Sequence, residues 1–218
     1  MSVHAADPSA GREESPVTTA TPAPTLRMGV ILASVREGRR GEAFARWILK
    51  LIAERPGVEP VLLDLRDHPL PAYVYPKTPT FIEGAYPDEL PNRWARTVAA
   101  LDGYVIVTPE YNHGYPGQLK NALDHVLKGW WYKPVGFVSY GGTGNGVRAV
   151  EQLRNVAVEL RMVPVKGEVN IRLVDLATGE NGEPTDPRYP RLAAAMLDQL
   201  LWWARAARQA RSAEPPPA

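Results

Sequence analysis

A chain of 218 residues with a formal net charge of +1 is long enough for one domain with a real hydrophobic core. That charge balance gives no electrostatic case for nucleic acid or an anionic membrane as the main partner. Without a cysteine the chain excludes disulfides, thiolate catalysis and cysteine-ligated metals, a usage that fits a cytoplasmic protein.

Residues 1–25 are rich in Ala, Pro, Ser and Thr and lack the apolar and basic segments of a secretory signal. Such a stretch buries too little surface to offset the entropy of ordering, so a disordered tail is expected there. The Pro-rich end, 211–218, reads the same way, which leaves 26–210 as the domain. No apolar run approaches the roughly 20 residues that span a bilayer.

The domain opens with "LRMGVILAS", a continuous apolar run of the kind buried on both faces of a parallel sheet. In "GEAFARWILKLIAER" the residues Phe44, Trp47, Ile48, Leu51 and Ile52 recur at helical spacing, and Pro56-Gly57 ends the pattern. "VEPVLLDL" gives a second strand. Residues 66–90 are irregular and proline-rich, a long loop of the kind that is often functional or mobile. A helix resumes at "ELPNRWARTVAALD", followed by a third strand, "GYVIVTPE". Next come a polar, aromatic loop and a helix with Leu119, Ala122, Leu123, Val126 and Leu127 on one face. "KPVGFVSY" is a fourth strand, "GGTGNG" a turn into a helix, "MVPVKGEVNIRLV" a fifth, weaker strand, "DLATGENGEPTDP" a polar connector, and "RLAAAMLDQLLWWARAARQA" the last helix.

Strand and helix alternate five times, which predicts a doubly wound, three-layer α/β sheet with five parallel strands in the order 2-1-3-4-5. Ligands of such sheets sit beyond the carboxyl ends of the strands, at the switch point between strands 1 and 3. The loops after strands 1, 3 and 4 are therefore where chemistry is expected.

The first of these, "ASVREGRRGEAF", combines small residues with the start of a helix, where free N–H groups attract an anion. Ser34 offers a hydroxyl, and Arg36, Arg39 and Arg40 offer forked donors suited to phosphate. A solvated basic turn has the same composition; position at the switch point favours the phosphate reading. Neither GxxxxGK[ST] nor GxGxxG is present. In the second, "TPEYNHGYPGQ", Tyr111 and Tyr115 could stack on a flat aromatic ligand and Asn112 could read its polar edge. His113 and His125 lack partner histidines at metal-ligand spacing. The third, "SYGGTGNG", has four glycines in six residues, more than a tight turn needs, which suits backbone lying against a planar ligand. Arg148, in the first turn of the following helix, is disfavoured there by the dipole and is expected to reach a carboxylate or a partner subunit. One phosphate site and one flat aromatic slot fit a mononucleotide with a large planar ring.

"PEYNHGYPGQLKNALD" resembles the PEYN signature of the NADPH-dependent FMN reductase family, "ASVREGRRGEAFARW" its GSxR phosphate loop, and "YGGTGNGVRAVEQLR" its third, Gly-rich loop. The resemblance covers roughly residues 27–172. It implies a flavodoxin-like fold that binds FMN non-covalently as a homodimer or a dimer of dimers. NADPH or NADH would be oxidised, and electrons passed by ping-pong hydride transfer through FMN to flavins, quinones or similar small-molecule acceptors. Carried over residue by residue, Ser34, Arg36, Arg40 and Gly41 would hold the phosphate. Pro109, Glu110, Tyr111 and Asn112 would line the ring system, and Tyr140, Gly141, Gly142 and Gly144 its other edge. With the chemistry supplied by FMN, no catalytic side chain and no metal ligand are expected. Two residues depart from the family pattern: Ala33 adds a methyl where Gly is usual, and Asn145 replaces a second Gly of GGxGG. An alternative of another class is an FMN-binding electron carrier without NAD(P)H oxidation. The pair Trp130–Trp131 cannot easily share one core, and one of the two could mark a subunit interface.

Overall fold

The computed structural model describes residues 25–173 and 183–217. Most of the polar connector expected at 175–187 therefore lies outside the described residues, as does nearly all of the N-terminal tail. Five strands, β1 (Leu26–Leu32), β2 (Val58–Asp64), β3 (Gly103–Pro109), β4 (Pro134–Gly141) and β5 (Val163–Arg172), form one sheet in the order β2-β1-β3-β4-β5. Every pairing is parallel. The doubly wound order read from the alternation is the order observed.

Helices α1 (Gly41–Ala53) and α6 (Arg188–Ala213) cover one face; α3 (Glu89–Ala99), α4 (Gly117–Asp124) and α5 (Val147–Glu159) cover the other. A single turn, α2 (Pro79–Ile82), interrupts the long loop between β2 and α3. Both faces of β3 and β4 are covered, so all their residues are buried; apolar side chains fill most positions, and the buried hydroxyls of Thr108 and Ser139 are hydrogen-bonded. The edge strands β2 and β5 alternate more. The boundary expected at residue 210 falls inside α6, which continues to Ala213. Arg211, in that last turn, donates to the Tyr132 carbonyl at 2.8 Å and pairs with Asp102 at 3.4 Å.

The tryptophan pair separates cleanly. Trp130 is in the core at 4.8 Å from Tyr104 and 6.2 Å from Trp94, and its indole N–H donates to the Leu123 carbonyl. Trp131 is half-buried beneath the Arg161 guanidinium, 4.2 Å from its ring centre. The Trp94 indole donates to the Ala122 carbonyl at 2.8 Å. These two indoles fasten the C-terminal half of α4 to the core and so fix the loop that precedes it.

Lys133, at the entry to β4, is buried with its ammonium on the last carbonyls of α3, those of Val98 (3.1 Å) and Ala99 (2.9 Å). No carboxylate lies within 4 Å of it among the described residues. Burial, and then the neighbouring Arg211, lower its pKa to about 7 from 10.5. Between those two values the unfolded chain keeps a proton that the folded chain has released, so stability rises with pH across that window. Lys133→Met is expected to flatten that rise, as measured by thermal denaturation between pH 7 and pH 10.

Candidate functional site

Three loops meet at the carboxyl edge because of the strand register. Pro109 stands opposite Tyr140 in the β3–β4 ladder, and the Glu110 N–H donates to the Tyr140 carbonyl at 3.0 Å. Loops two and three therefore leave the sheet side by side. Ala33 donates its N–H to the Val107 carbonyl at 3.0 Å, which sets loop one against the end of β3.

Between these loops lies a cavity of about 270 Å³ lined by Ser34, Arg36, Arg40, Pro109, Glu110, Tyr111, Tyr140, Gly141 and Gly142, all expected from the sequence. Arg39, Gly38, Glu37 and Leu173 line it too. Ser34 is buried, and its hydroxyl is 2.8 Å from the Tyr111 hydroxyl. Tyr140 is buried against Phe44, ring centres 5.4 Å apart. Its phenol stands where a side chain at Gly41 would be, 2.6 Å from the position of a Cβ, so only glycine fits at the start of α1. Burial foremost, and then Tyr111, push the Tyr140 phenol well above its ordinary value, against the Gly41 N–H, the Ser34 hydroxyl and Arg39, which lower it. The phenol stays protonated and can act as donor or acceptor at the helix start.

Of the three arginines in loop one, Arg39 is committed elsewhere. It makes a two-pronged pair with Asp64 at the end of β2, with one contact at 2.6 Å, and donates to the Ser34 carbonyl at 2.9 Å. Burial raises the Asp64 pKa, but the Arg39 hydrogen bond and the Arg66 N–H outweigh it and hold the carboxyl below its ordinary value. Arg36 and Arg40 are exposed, and neither has a carboxylate within 4 Å among the described residues. They are the cations left for a ligand, together with N–H groups at the start of α1.

The structure departs from the sequence reading at several positions. The turn in loop two is centred on Asn112 and His113, which the sequence reading took as a ring contact and an unassigned histidine. Both have positive φ (50° and 68°), and Tyr111 and Gly114 exchange N–H···O bonds of 2.8 and 3.0 Å, the pattern of a type I′ turn. Asn112 consequently projects to solvent and does not line the cavity. His113 is exposed on the same turn, its carbonyl held by the Gln152 amide at 2.9 Å. His125 is buried, with Nδ1 2.7 Å from the Asn121 carbonyl. Tyr115 packs on the core beside α4, away from the cavity.

Gly144 is also outside the cavity; a Cβ there would meet the Arg148 guanidinium at 2.5 Å. Its small size leaves room for the Arg148–Glu110 pair. The Glu110 carboxylate, nearly buried, accepts from Arg148 Nη1 at 2.8 Å and from the Arg148 backbone N–H at 3.2 Å. Arg148 thus finds a carboxylate, as its position implied, and Glu110 ties loop two to the first turn of α5. Ala33 adds no bulk to the site, because its methyl lies in the core on the α3–α4–α5 face. Asn145 adopts the left-handed conformation (φ 54°) that suits Asn at a Gly position.

An open parallel sheet of this order, with a cavity at the carboxyl ends of β1, β3 and β4, defines a flavodoxin-like protein. The sequence pattern of the NADPH-dependent FMN reductase family matches residues 26–174, and the chain belongs to that family, an oxidoreductase class with FMN as cofactor and NAD(P)H as co-substrate. It is 40% identical over 138 residues to an NAD(P)H-dependent FMN reductase of Schizosaccharomyces pombe, covering 63% of this chain and 68% of that one. To LOT6, the NAD(P)H-dependent FMN reductase of Saccharomyces cerevisiae, it is 36% identical, covering 65% and 78%. Among solved structures, FerB, a flavoenzyme NAD(P)H:(acceptor) oxidoreductase from Paracoccus denitrificans, superposes with a TM-score of 0.69 at 24% identity, over 84% of this chain and 99% of that one.

Two substitutions test the loop scaffold. Glu110→Ala leaves Arg148 unpaired and frees loop two from α5; a loss of about 2 kcal/mol in urea denaturation is expected. Gly146 caps α5 at φ +86°, where a Cβ would stand 2.5 Å from that of Ser139. Gly146→Ala is expected to cost about 2 kcal/mol or more in the same measurement.

Proposed function

We propose that FMN occupies the cavity between the three loops, its phosphate held by Ser34, Arg36, Arg40 and the Gly41 N–H, and its ring walled by Pro109, Glu110 and Tyr111 on one side and Tyr140, Gly141 and Gly142 on the other. The observation that carries this reading is the convergence of nine of those residues, drawn from three distant segments, on one cavity whose two exposed arginines have no carboxylate partner among the described residues. The polar groups suit the cofactor: a hydroxyl, a protonated phenol and forked cations for a dianionic phosphate, and backbone with little side-chain bulk for a planar ring. Bound FMN supplies the ability to accept a hydride and to pass on electrons singly or in pairs. The protein's part is to orient it and limit water. Glu110 is held by Arg148 as a brace.

The reaction is oxidation of NAD(P)H with reduction of a flavin, a quinone or a similar small acceptor, donor and acceptor using the same cavity mouth in turn, hence ping-pong kinetics. A relative 30% identical over 125 residues, the 2-hydroxy-1,4-benzoquinone reductase of a Burkholderia species, supports the quinone class. The functional domain is taken as residues 26–213. It works in the cytoplasm as a homodimer or a dimer of dimers; no helix of the described residues is long and apolar enough to cross a membrane. The exposed Val74 and Phe81, in the segment pinned to α4, provide apolar surface for a subunit contact.

The purified protein is expected to be yellow or to take up FMN, and to oxidise NADPH when a quinone is added. Arg40→Met should weaken FMN binding about tenfold while leaving riboflavin binding unchanged, because the lost contact is to phosphate. A colourless protein that leaves FMN fluorescence unquenched would end this reading.

A further inference from the structure

A second cavity, of about 350 Å³, opens on the other side of loop one. Its floor and walls are Val35, Leu65, Leu70 and Pro69, with the His68 imidazole and the Gln118 amide at the rim. Its volume falls in the range of small-molecule sites. The outer wall is built rather than loose: the Asn121 side chain donates to the Pro71 carbonyl at 2.8 Å and accepts from the Tyr73 N–H at 3.2 Å, holding the loop against α4. His68 is half-buried with its ring centre 4.9 Å from that of Trp94. Burial and then Arg93 lower its pKa, so the imidazole is neutral near pH 7, as the wall of an apolar slot should be.

Val35 lines this cavity and the adjacent Arg36 lines the first, and Arg66 is held on the chain between them. Its guanidinium donates to the Val35 carbonyl at 3.2 Å and to the Arg36 carbonyl, but no carboxylate lies within 4 Å of it among the described residues. Asp64, whose carboxylate accepts the Arg66 backbone N–H, is already neutralised by Arg39. Carbonyls fix the orientation of a guanidinium without cancelling its charge. Arg36, 5.7 Å from the centre of the Tyr111 ring, faces the first cavity, which leaves Arg66 as the cation of the second. The first turn of α4 reaches the cavity at Gln118 and adds the positive end of its dipole. An apolar slot bordered by an oriented guanidinium with no carboxylate within 4 Å among the described residues is suited to a planar ring that carries a phosphate.

We propose that this second cavity takes the adenosine end of NADPH, with Arg66 as the donor to its 2′-phosphate. The inference rests on NAD(P)H as co-substrate and goes beyond it by locating the half of the dinucleotide that carries no hydride. It also makes the enzyme NADPH-selective, since NADH has no group for Arg66 to meet. A ligand with one end in each cavity would cross between them at Arg36.

Adenosine 2′,5′-bisphosphate and AMP, titrated calorimetrically into the FMN-loaded protein, decide the matter. The bisphosphate is expected to bind at least tenfold more tightly than AMP, one per chain, in competition with NADPH and without releasing FMN. Arg66→Met should bring the two ligands within about twofold of each other, and Arg66→Lys, which keeps the charge but not the fork, should fall between. Leu70→Trp, filling the slot, should weaken both about tenfold. FMN content and melting temperature of each variant confirm that it is folded. Equal binding of the two ligands by the unmodified protein, release of FMN by the bisphosphate, or discrimination that survives both Arg66 substitutions would overturn the proposal. The same titrations on FMN-free protein separate this outcome from failure of the FMN reading, because the second cavity is lined without FMN.

Discussion

The register of the β3–β4 ladder is the constraint on which the site depends. Because Pro109 faces Tyr140 and the next N–H closes on the Tyr140 carbonyl, the chain leaves two central strands at the same height. A slip of one residue would turn every buried side chain of a fully covered strand toward the wrong helix layer, so the register is strongly specified. Glu110 and Gly141 are thereby neighbours, and the Glu110–Arg148 pair can brace them. The braced loops and the loop after β1 together line the cavity.

Loop one is held by a different kind of interaction. It has no regular structure between the end of β1 and α1, and its shape is set by arginines from two segments. Arg39 reaches outward to Asp64 at the end of β2, and Arg66, from just beyond β2, reaches back to the Val35 and Arg36 carbonyls. Nearly buried, two-pronged pairs such as Arg39–Asp64 fix geometry more than they add stability. The consequence for function is a sorting of charge: one of three adjacent arginines is cancelled, and Arg36 and Arg40 are left facing ligand space.

Several residues that look like ligand contacts also take part in this scaffold. Asn112 serves a type I′ turn, for which its tolerance of positive φ matters more than its amide. Gly144 makes room for a guanidinium. Glu110 accepts two hydrogen bonds within the protein. Tyr140 belongs to both groups: its ring packs in the core on Phe44 while its hydroxyl reaches the start of α1.

The sequence by itself determined the five strands and their parallel order, and it pointed to the edge where the three loops meet. Apolar runs, helical spacing and the alternation of the two admit few other topologies once crossovers must be right-handed. The family motifs carried the cofactor class, and they placed nine of the expected residues around one cavity. What only the tertiary structure decided is which member of each polar cluster is free. Arg39 cannot be told from Arg36 or Arg40 along the chain, because its partner, Asp64, is 25 residues away and adjacent only through the β1–β2 pairing. Trp130 and Trp131 are likewise indistinguishable until Arg161 and the Tyr104–Trp94 cluster surround them. Ala33 reads as a methyl in a phosphate turn, yet its Cβ points through the opposite face of the sheet, since strand residues alternate sides beyond the reach of a motif. Local sequence sets which groups are available; long-range pairing of charge and volume decides which of them remain for the ligand.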